Sequence, residues 1–162
     1  VKIGKNCILG QNVFVGKNVK IGDNCKIQNN VSIYEGVELD DKVFCGPSVV
    51  FTNVINPRSE FEKKNHFKKT IIKKGASIGA NSTIVCGNEI GEYAMIGASS
   101  LVTKNISPYS LSYGSPAKHH EWVTKFGEKI IFSEYENNQF HCNKTNEIYE
   151  INNNKITITK NK

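Results

Sequence analysis

Aromatic residues are scarce in this 162-residue chain, at 9%, although hydrophobic residues reach 38%. A core packed around large rings is thereby disfavoured, and one assembled from aliphatic rows is expected. Arginine occurs once, at Arg58. No arginine-rich stripe and no alternation of basic and aromatic residues is present, so no nucleic-acid partner is expected despite a net charge of +6. Such a charge favours anionic partners in general, but Lys and Asn are used heavily along the whole sequence, and the balance reads as compositional. The five cysteines (Cys7, Cys25, Cys45, Cys86 and Cys142) are odd in number and show no CxxC or Cys/His ligand spacing. Neither a disulfide framework nor a metal site is expected, and a reducing cytoplasm is. No apolar run approaches the roughly 20 residues of a membrane span, and no signal-peptide core opens the chain. Val1 starts in mid-pattern without a methionine, so further N-terminal residues are expected to precede it.

What is present is a period of six. Apolar anchors recur at Ile3, Leu9, Val15, Ile21, Ile27, Ile33, Leu39, Cys45 and Phe51, then at Ile72, Ile78, Ile84, Ile90, Ile96 and Val102. Glycine often follows the anchor, as at Gly4, Gly10, Gly22 and Gly79, and small or β-branched residues fill the fourth place after it. An amphipathic helix would space apolar residues by three and four and a lone strand by two, so neither explains a strict six. The pattern predicts an all-β chain, a left-handed parallel β-helix in which three short strands make one triangular coil. Corners there call for glycine or asparagine. Cys7 and Cys25, one coil apart, are expected to stack as small interior residues.

The step fails once. Phe51 and Ile72 lie 21 residues apart, which is not a multiple of six, and the polar segment 54–70 is expected to leave the solenoid as a loop. The repeat predicts a solenoid over residues 1–108 and a cap over 109–162. The cap is read as a closing turn, a short helix from the weak helical spacing of 121–131, and a hairpin from the Asn-rich turn within 146–159.

The strings GQNVFVG at 10–16, CKIQNNVSIY at 25–34 and VFCGPSVVFTNVINPRS at 43–59 resemble hexapeptide-repeat sugar-nucleotide N-acetyltransferases. The resemblance runs over residues 1–127 and is nearest to the UDP-2-acetamido-3-amino-2,3-dideoxy-glucuronate N-acetyltransferases of bacterial surface-polysaccharide synthesis. It implies acetyl-CoA as co-substrate, a UDP-linked 3-amino sugar as acceptor, and a homotrimer whose active site lies between subunits. The first coil of that family is missing from the sequence, and only Cys142 stands where some members carry a cysteine-rich tail.

The resemblance puts the catalytic role on Asn53, whose amide would hold the nucleophilic amine or polarise the thioester carbonyl. Gln28, Asn29, Asn30 and Tyr34 are candidates for the nucleoside or sugar, with Asn30 equally readable as a corner residue. Asn56 and Arg58 are stronger substrate candidates, because arginine offers a bidentate fork for a carboxylate or diphosphate. Gly97, Ala98 and Ser99, with Gly114, Pro116 and Lys118 of the GSPAK string, resemble the segments that line the CoA groove. Lys118 would meet a phosphate and Lys104 is a second candidate for that role.

Other hexapeptide acetyltransferases use a histidine base. His66 is the one histidine near the break, and among Lys63, Lys64, Lys68 and Lys69 it reads as an exposed loop residue. A γ-class carbonic anhydrase would need three histidines on zinc, and the solenoid positions carry none. The alternatives are an O-acetyltransferase, which needs a stronger base, and a purely structural solenoid, which would not bind CoA.

Overall fold

A computed structural model describes residues 1–62, 66–132 and 138–160. The chain winds as a left-handed parallel β-helix. The first coil holds β1 (Lys2–Ile3), β2 (Ile8–Leu9) and β3 (Phe14–Val15). The second holds β4 (Lys20–Ile21), β5 (Lys26–Ile27) and β6 (Ser32–Ile33). The third holds β7 (Val37–Leu39), β8 (Phe44–Cys45) and β9 (Val50–Phe51). After the break come β10 (Thr70–Ile72), β11 (Ser77–Ile78) and β12 (Thr83–Ile84), then β13 (Glu89–Ile90), β14 (Met95–Ile96) and β15 (Leu101–Val102). Like positions pair in parallel one coil apart, as in Ile21 with Leu39 and Ile78 with Ile96. Three faces result: face 1 from β1, β4, β7, β10 and β13; face 2 from β2, β5, β8, β11 and β14; face 3 from β3, β6, β9, β12 and β15.

The anchors point inward and stack in rows, Ile27, Cys45, Ile78 and Ile96 behind face 2 and Ile33, Phe51, Ile84 and Val102 behind face 3, all buried. Each buried aliphatic side chain contributes about 1.5–3 kcal/mol. Ile3 and Leu9 keep the step and are exposed. Cys7 and Cys25 sit where their 18-residue spacing puts them, each thiol donating to a backbone carbonyl, Gly22 and Asp40 respectively, at 3.1 Å. In the upper coils serines enter the interior: the Ser82 and Ser100 hydroxyls donate to the Gly97 carbonyl at 3.0 and 2.6 Å.

The two corner residue types do different work. The left-handed torsion falls on the asparagine position every sixth residue, with φ near 58° at Asn12, Asn18 and Asn24. The glycines after the anchors serve close approach instead. A Cβ on Gly22 would lie 2.6 Å from the backbone nitrogen of Asp41 in the next coil, and one on Gly79 would lie 2.5 Å from that of Ala98.

The chain leaves the helix at Asn53 and returns at Lys68, where the Lys68 N–H donates to the Asn53 carbonyl at 2.9 Å. Thr70 is already strand, within β10. At the far end parallel pairing runs on past residue 108. Ile106 bridges Ile90, and β16 (Ser110–Gly114) pairs with β14, with buried Ser112 opposite Ile96. A serine in an anchor row is invisible to hydrophobic periodicity.

The helix expected over 121–131 is not formed. Its first part belongs to β17 (Ala117–Val123), antiparallel to β16, and its last part to β18 (Lys129–Ile130), antiparallel to β17. Trp122, Phe126 and Ile130 have helical spacing, but a tight turn at 124–127 separates them. There the Gly127 N–H donates to the Thr124 carbonyl at 2.9 Å, and Gly127 has φ 92°. The open edge of β16 offers a full ladder of hydrogen bonds, and this pairing outweighs weak helix propensity. The expected hairpin is present as β20 (Glu147–Asn152) and β21 (Lys155–Lys160), with β19 (Gln139–Cys142) on its other side. Asn153 and Asn154, at φ 49° and 55°, form its two-residue turn.

Candidate active site

The repeat assigns each candidate residue to an edge of the triangular prism. Tyr34, Asn53 and Lys104 lie on the edge where face 3 passes to face 1, in the second, third and fifth coils. Gln28, Asn29 and Asn30 lie on the edge between faces 2 and 3, low in the stack, and Gly97, Ala98, Ser99 and Gly114 lie high on the same edge. The candidates therefore form two columns bordering face 3. Coils are stacked about 4.8 Å apart, so Asn53 and Lys104 are separated by roughly 10 Å along theirs.

In the first column, backbone bonds fix the point of departure. The Thr52 N–H donates to the Ile84 carbonyl at 3.1 Å, the Thr52 hydroxyl accepts from the Cys86 N–H at 3.0 Å, and the Asn53 carbonyl accepts from Lys68. The half-buried Asn53 amide makes no hydrogen bond among the described residues, so its donor and acceptor atoms are open to a ligand. One coil below, the exposed Tyr34 ring packs 5.8 Å from Phe14. Asn56 and Arg58 are exposed on the loop, where Arg58 bridges Phe61 through the backbone. No ion pair engages the Arg58 guanidinium among the described residues. His66 is exposed, as its surroundings suggested; Lys63 and Lys64 lie outside the described residues.

In the second column the asparagines are engaged with their own scaffold. Asn29 Oδ1 accepts from the Gln11 N–H at 2.9 Å, and Asn30, with φ 62°, accepts from the Asn12 amide at 3.1 Å. Asn30 is a corner residue in a ladder, while the Gln28 side chain has no such bond among the described residues. Higher up, the Gly114 N–H donates to the Ser100 hydroxyl at 3.3 Å, bringing the GSPAK segment against Gly97–Ser100. Pro116 follows a cis bond, and exposed Lys118 pairs across the hairpin with Tyr113.

Two features here escaped sequence reasoning. Tyr113 and His120 stack face to face, centroids 3.6 Å apart, directly beyond Gly97, where a Cβ would sit 2.7 Å from that of Tyr113. Their pairing depends on the β16–β17 register, which the period does not encode. The other is the outward side of face 3, formed by Phe14, Ser32, Val50, Thr83 and Leu101. It carries no charge, whereas face 1 presents Lys20, Glu38 and Glu89, with Glu38 paired to Lys20 at 3.3 Å and to Lys69 at 2.9 Å. The Lys69 hydrogen bond outweighs the burial of Glu38 and holds its carboxyl below the usual range. An 18-residue comparison of outward positions would have exposed the contrast.

The family model described as hexapeptide repeat of succinyl-transferase matches residues 1–35 and 69–104, the two runs flanking the loop. A dTDP-3-amino-3,6-dideoxy-alpha-D-galactopyranose 3-N-acetyltransferase from Aneurinibacillus thermoaerophilus is 58% identical over 66 residues, covering 41% of this chain and 34% of that protein. The match thus spans about a third of that relative's length. Among solved structures, a hexapeptide-repeat-containing acetyltransferase from Vibrio cholerae superposes with a TM-score of 0.67 at 25% identity, covering 75% of this chain and 73% of that one. A galactoside acetyltransferase in complex with coenzyme A gives a TM-score of 0.68 at 27% identity, covering 77% and 66%.

Proposed function

We propose that this chain, two runs of which match the hexapeptide-repeat model, transfers the acetyl group of acetyl-CoA to the amino group of a nucleotide-linked 3-amino sugar. The observation that carries this reading is Asn53. Among the described residues its amide stands open at the base of the loop that interrupts the repeat, and the Arg58 guanidinium on the same loop has no ion pair. The relative from Aneurinibacillus thermoaerophilus is named for 3-N-acetylation of a nucleotide-linked amino sugar, and one solved neighbour holds coenzyme A.

In the proposed reaction the neutral amine attacks the thioester carbonyl. The C–N bond forms, the C–S bond breaks, and the departing CoA thiolate takes up the proton that the amine loses. An amide is no base at neutral pH, so Asn53 holds the amine or polarises the carbonyl. Arg58 is assigned to the diphosphate that UDP- and dTDP-sugars share. A UDP-linked 3-amino-glucuronate, suggested by the sequence strings, and a dTDP-linked 3-amino-6-deoxy sugar, suggested by the relative, differ in the base and at C6, and a turnover panel of both separates them.

The proposed assembly is a homotrimer working in the cytoplasm. The uncharged face 3 supports the trimer, because its burial against another copy strands no ion. The two columns lie on opposite borders of that face, so a site drawing on both takes one from each of two neighbouring copies. The odd number of cysteines, without disulfide-framework or ligand spacing, supports a reducing compartment. Asn53→Ala is expected to keep trimer mass and acetyl-CoA binding by calorimetry while turnover falls about 10²–10³-fold, the loss typical of one transition-state donor. Unchanged turnover refutes the role of Asn53, and no acetyl-CoA binding by the parent protein refutes the transferase reading.

A further inference from the structure

The third edge of the prism, between faces 1 and 2, carries none of the candidate residues, yet at the C-terminal end it borders a cleft of about 300 Å³. One wall is apolar, made by half-buried Trp122 and Ile156, both packed against the core of the cap. The other is polar: Ser107 from the last solenoid corner and Asn153, Asn154 and Lys155 from the β20–β21 turn. Among the described residues none of these four side chains makes a hydrogen bond or an ion pair. The turn is closed by pairing of Asn152 with Lys155, so the two amides and the ammonium project from one short segment beside the cleft.

We propose that this cleft binds a pyranose sugar bearing an acidic group. The Trp122 indole, which also touches the His119 ring at a centroid distance of 4.4 Å, gives the cleft an apolar surface suited to the C–H groups of a sugar ring. The two amides and the serine hydroxyl supply donors and acceptors for ring hydroxyls, and Lys155 supplies the one charge, positive and without an ion pair among the described residues. A concave site with an apolar wall and a few converging polar groups is the usual form of a small-ligand pocket, and this one lies at the small end of the range. The site involves neither Asn53 nor the CoA-groove segments and does not depend on the transferase reading.

Trp122 is the only tryptophan in the chain, so tryptophan fluorescence comes from a side chain that lines this cleft. The intact protein is titrated with methyl glucuronide, methyl glucoside and acetate, without acetyl-CoA. A saturable change is expected with the glucuronide at roughly millimolar concentration, a weaker one with the glucoside, and none with acetate. Lys155→Glu is expected to weaken the glucuronide about fivefold or more and spare the glucoside. Asn154→Gly, which suits the positive φ of the turn and removes the amide, is expected to weaken both sugars. Absence of a saturable change with either sugar overturns the proposal, as does equal binding by both variants and the parent.

Discussion

The solenoid and its cap are both stacks of β-strands, yet they are held together by different physics. Along the solenoid each strand is two or three residues long, the interior is mainly aliphatic, and among the described residues the one large aromatic ring fully buried there is Phe51. Each coil leans chiefly on the coils above and below it, and the upper ones also meet the cap through Tyr93. In the cap the strands run antiparallel around rings: Tyr149 is fully buried, Tyr109 stacks 5.5 Å from Tyr93 and meets the Tyr149 ring edge-on at 6.0 Å. Polar groups are woven into that core. The Tyr149 hydroxyl donates to Glu147 Oε2 at 2.9 Å and accepts from the Lys125 N–H at 2.9 Å, and the Lys125 ammonium pairs with Glu147. Repetition secures the interior of one region through stacked apolar rows, whereas the other, which must close the stack without repeating, buries a charged network.

The sharpest break in this comparison comes from removing packing in the solenoid. Ile78 is fully buried between Cys45 and Ile96 in the middle of the stack. Ile78→Ala is expected to cost about 2–5 kcal/mol in urea unfolding, because parallel coils locked on either side hinder collapse of the cavity. A loss below about 1 kcal/mol contradicts a core held by stacked rows.

Cap and solenoid carry different titrating groups in their interiors. Burial pushes the Glu147 carboxyl up, but the Lys125 and Tyr149 hydrogen bonds outweigh it and hold it below the usual range. A carboxyl depressed in the folded state contributes fully above its unfolded value, about 4.3, and the contribution is lost as pH falls through the folded value. Acid therefore loosens the cap. Alkali acts on the solenoid, since burial raises Cys25 to about 11 and Cys45 to about 12. Thiols kept neutral in this way stabilise below their ordinary value near 8.5 and lose that contribution as pH rises toward the folded ones. Tyr149, raised by burial to about 12, joins from higher pH. Tyr149→Phe is expected to cost about 1–3 kcal/mol at pH 7 and to flatten the acid limb of a stability profile taken from pH 7 to 3. An unaltered acid limb places the sensitive carboxylate elsewhere.

The same contrast explains what could be read in advance. The solenoid is legible because each anchor, from Ile21 to Val102, repeats one local rule, and the loop is legible as the place where that rule fails. The column a residue joins follows from its number, so Tyr34, Asn53 and Lys104 could be grouped by counting once the break was allowed for. The cap obeys no local rule: residues 121–131 carry a helical pattern in isolation and become strand because β16 waits with an open edge. The Tyr113–His120 stack and the Trp122 cleft arise from pairings between distant segments. Asn29 and Asn30 show the reverse limit, since polar residues that invite a ligand in sequence serve the corner ladder in the fold.

The smallest expected effect tests the local rule itself. Asn24 is exposed at a corner with φ 58°, and its one side-chain bond, from the Asn6 amide, is long at 3.5 Å. Little beyond the left-handed torsion distinguishes it from any surface residue. Asparagine tolerates that torsion, glycine adopts it freely, and a residue with an ordinary Cβ pays about 1 kcal/mol. Asn24→Ala is therefore expected to destabilise by about 1 kcal/mol, and Asn24→Gly by only a few tenths. Lys42 occupies the same corner one coil on, at φ 60° without an asparagine, so Lys42→Asn is expected to stabilise. If Asn24→Ala unfolds at the parent's urea midpoint, the corner asparagines are not there for their torsion, and the six-residue rule rests on the anchors alone.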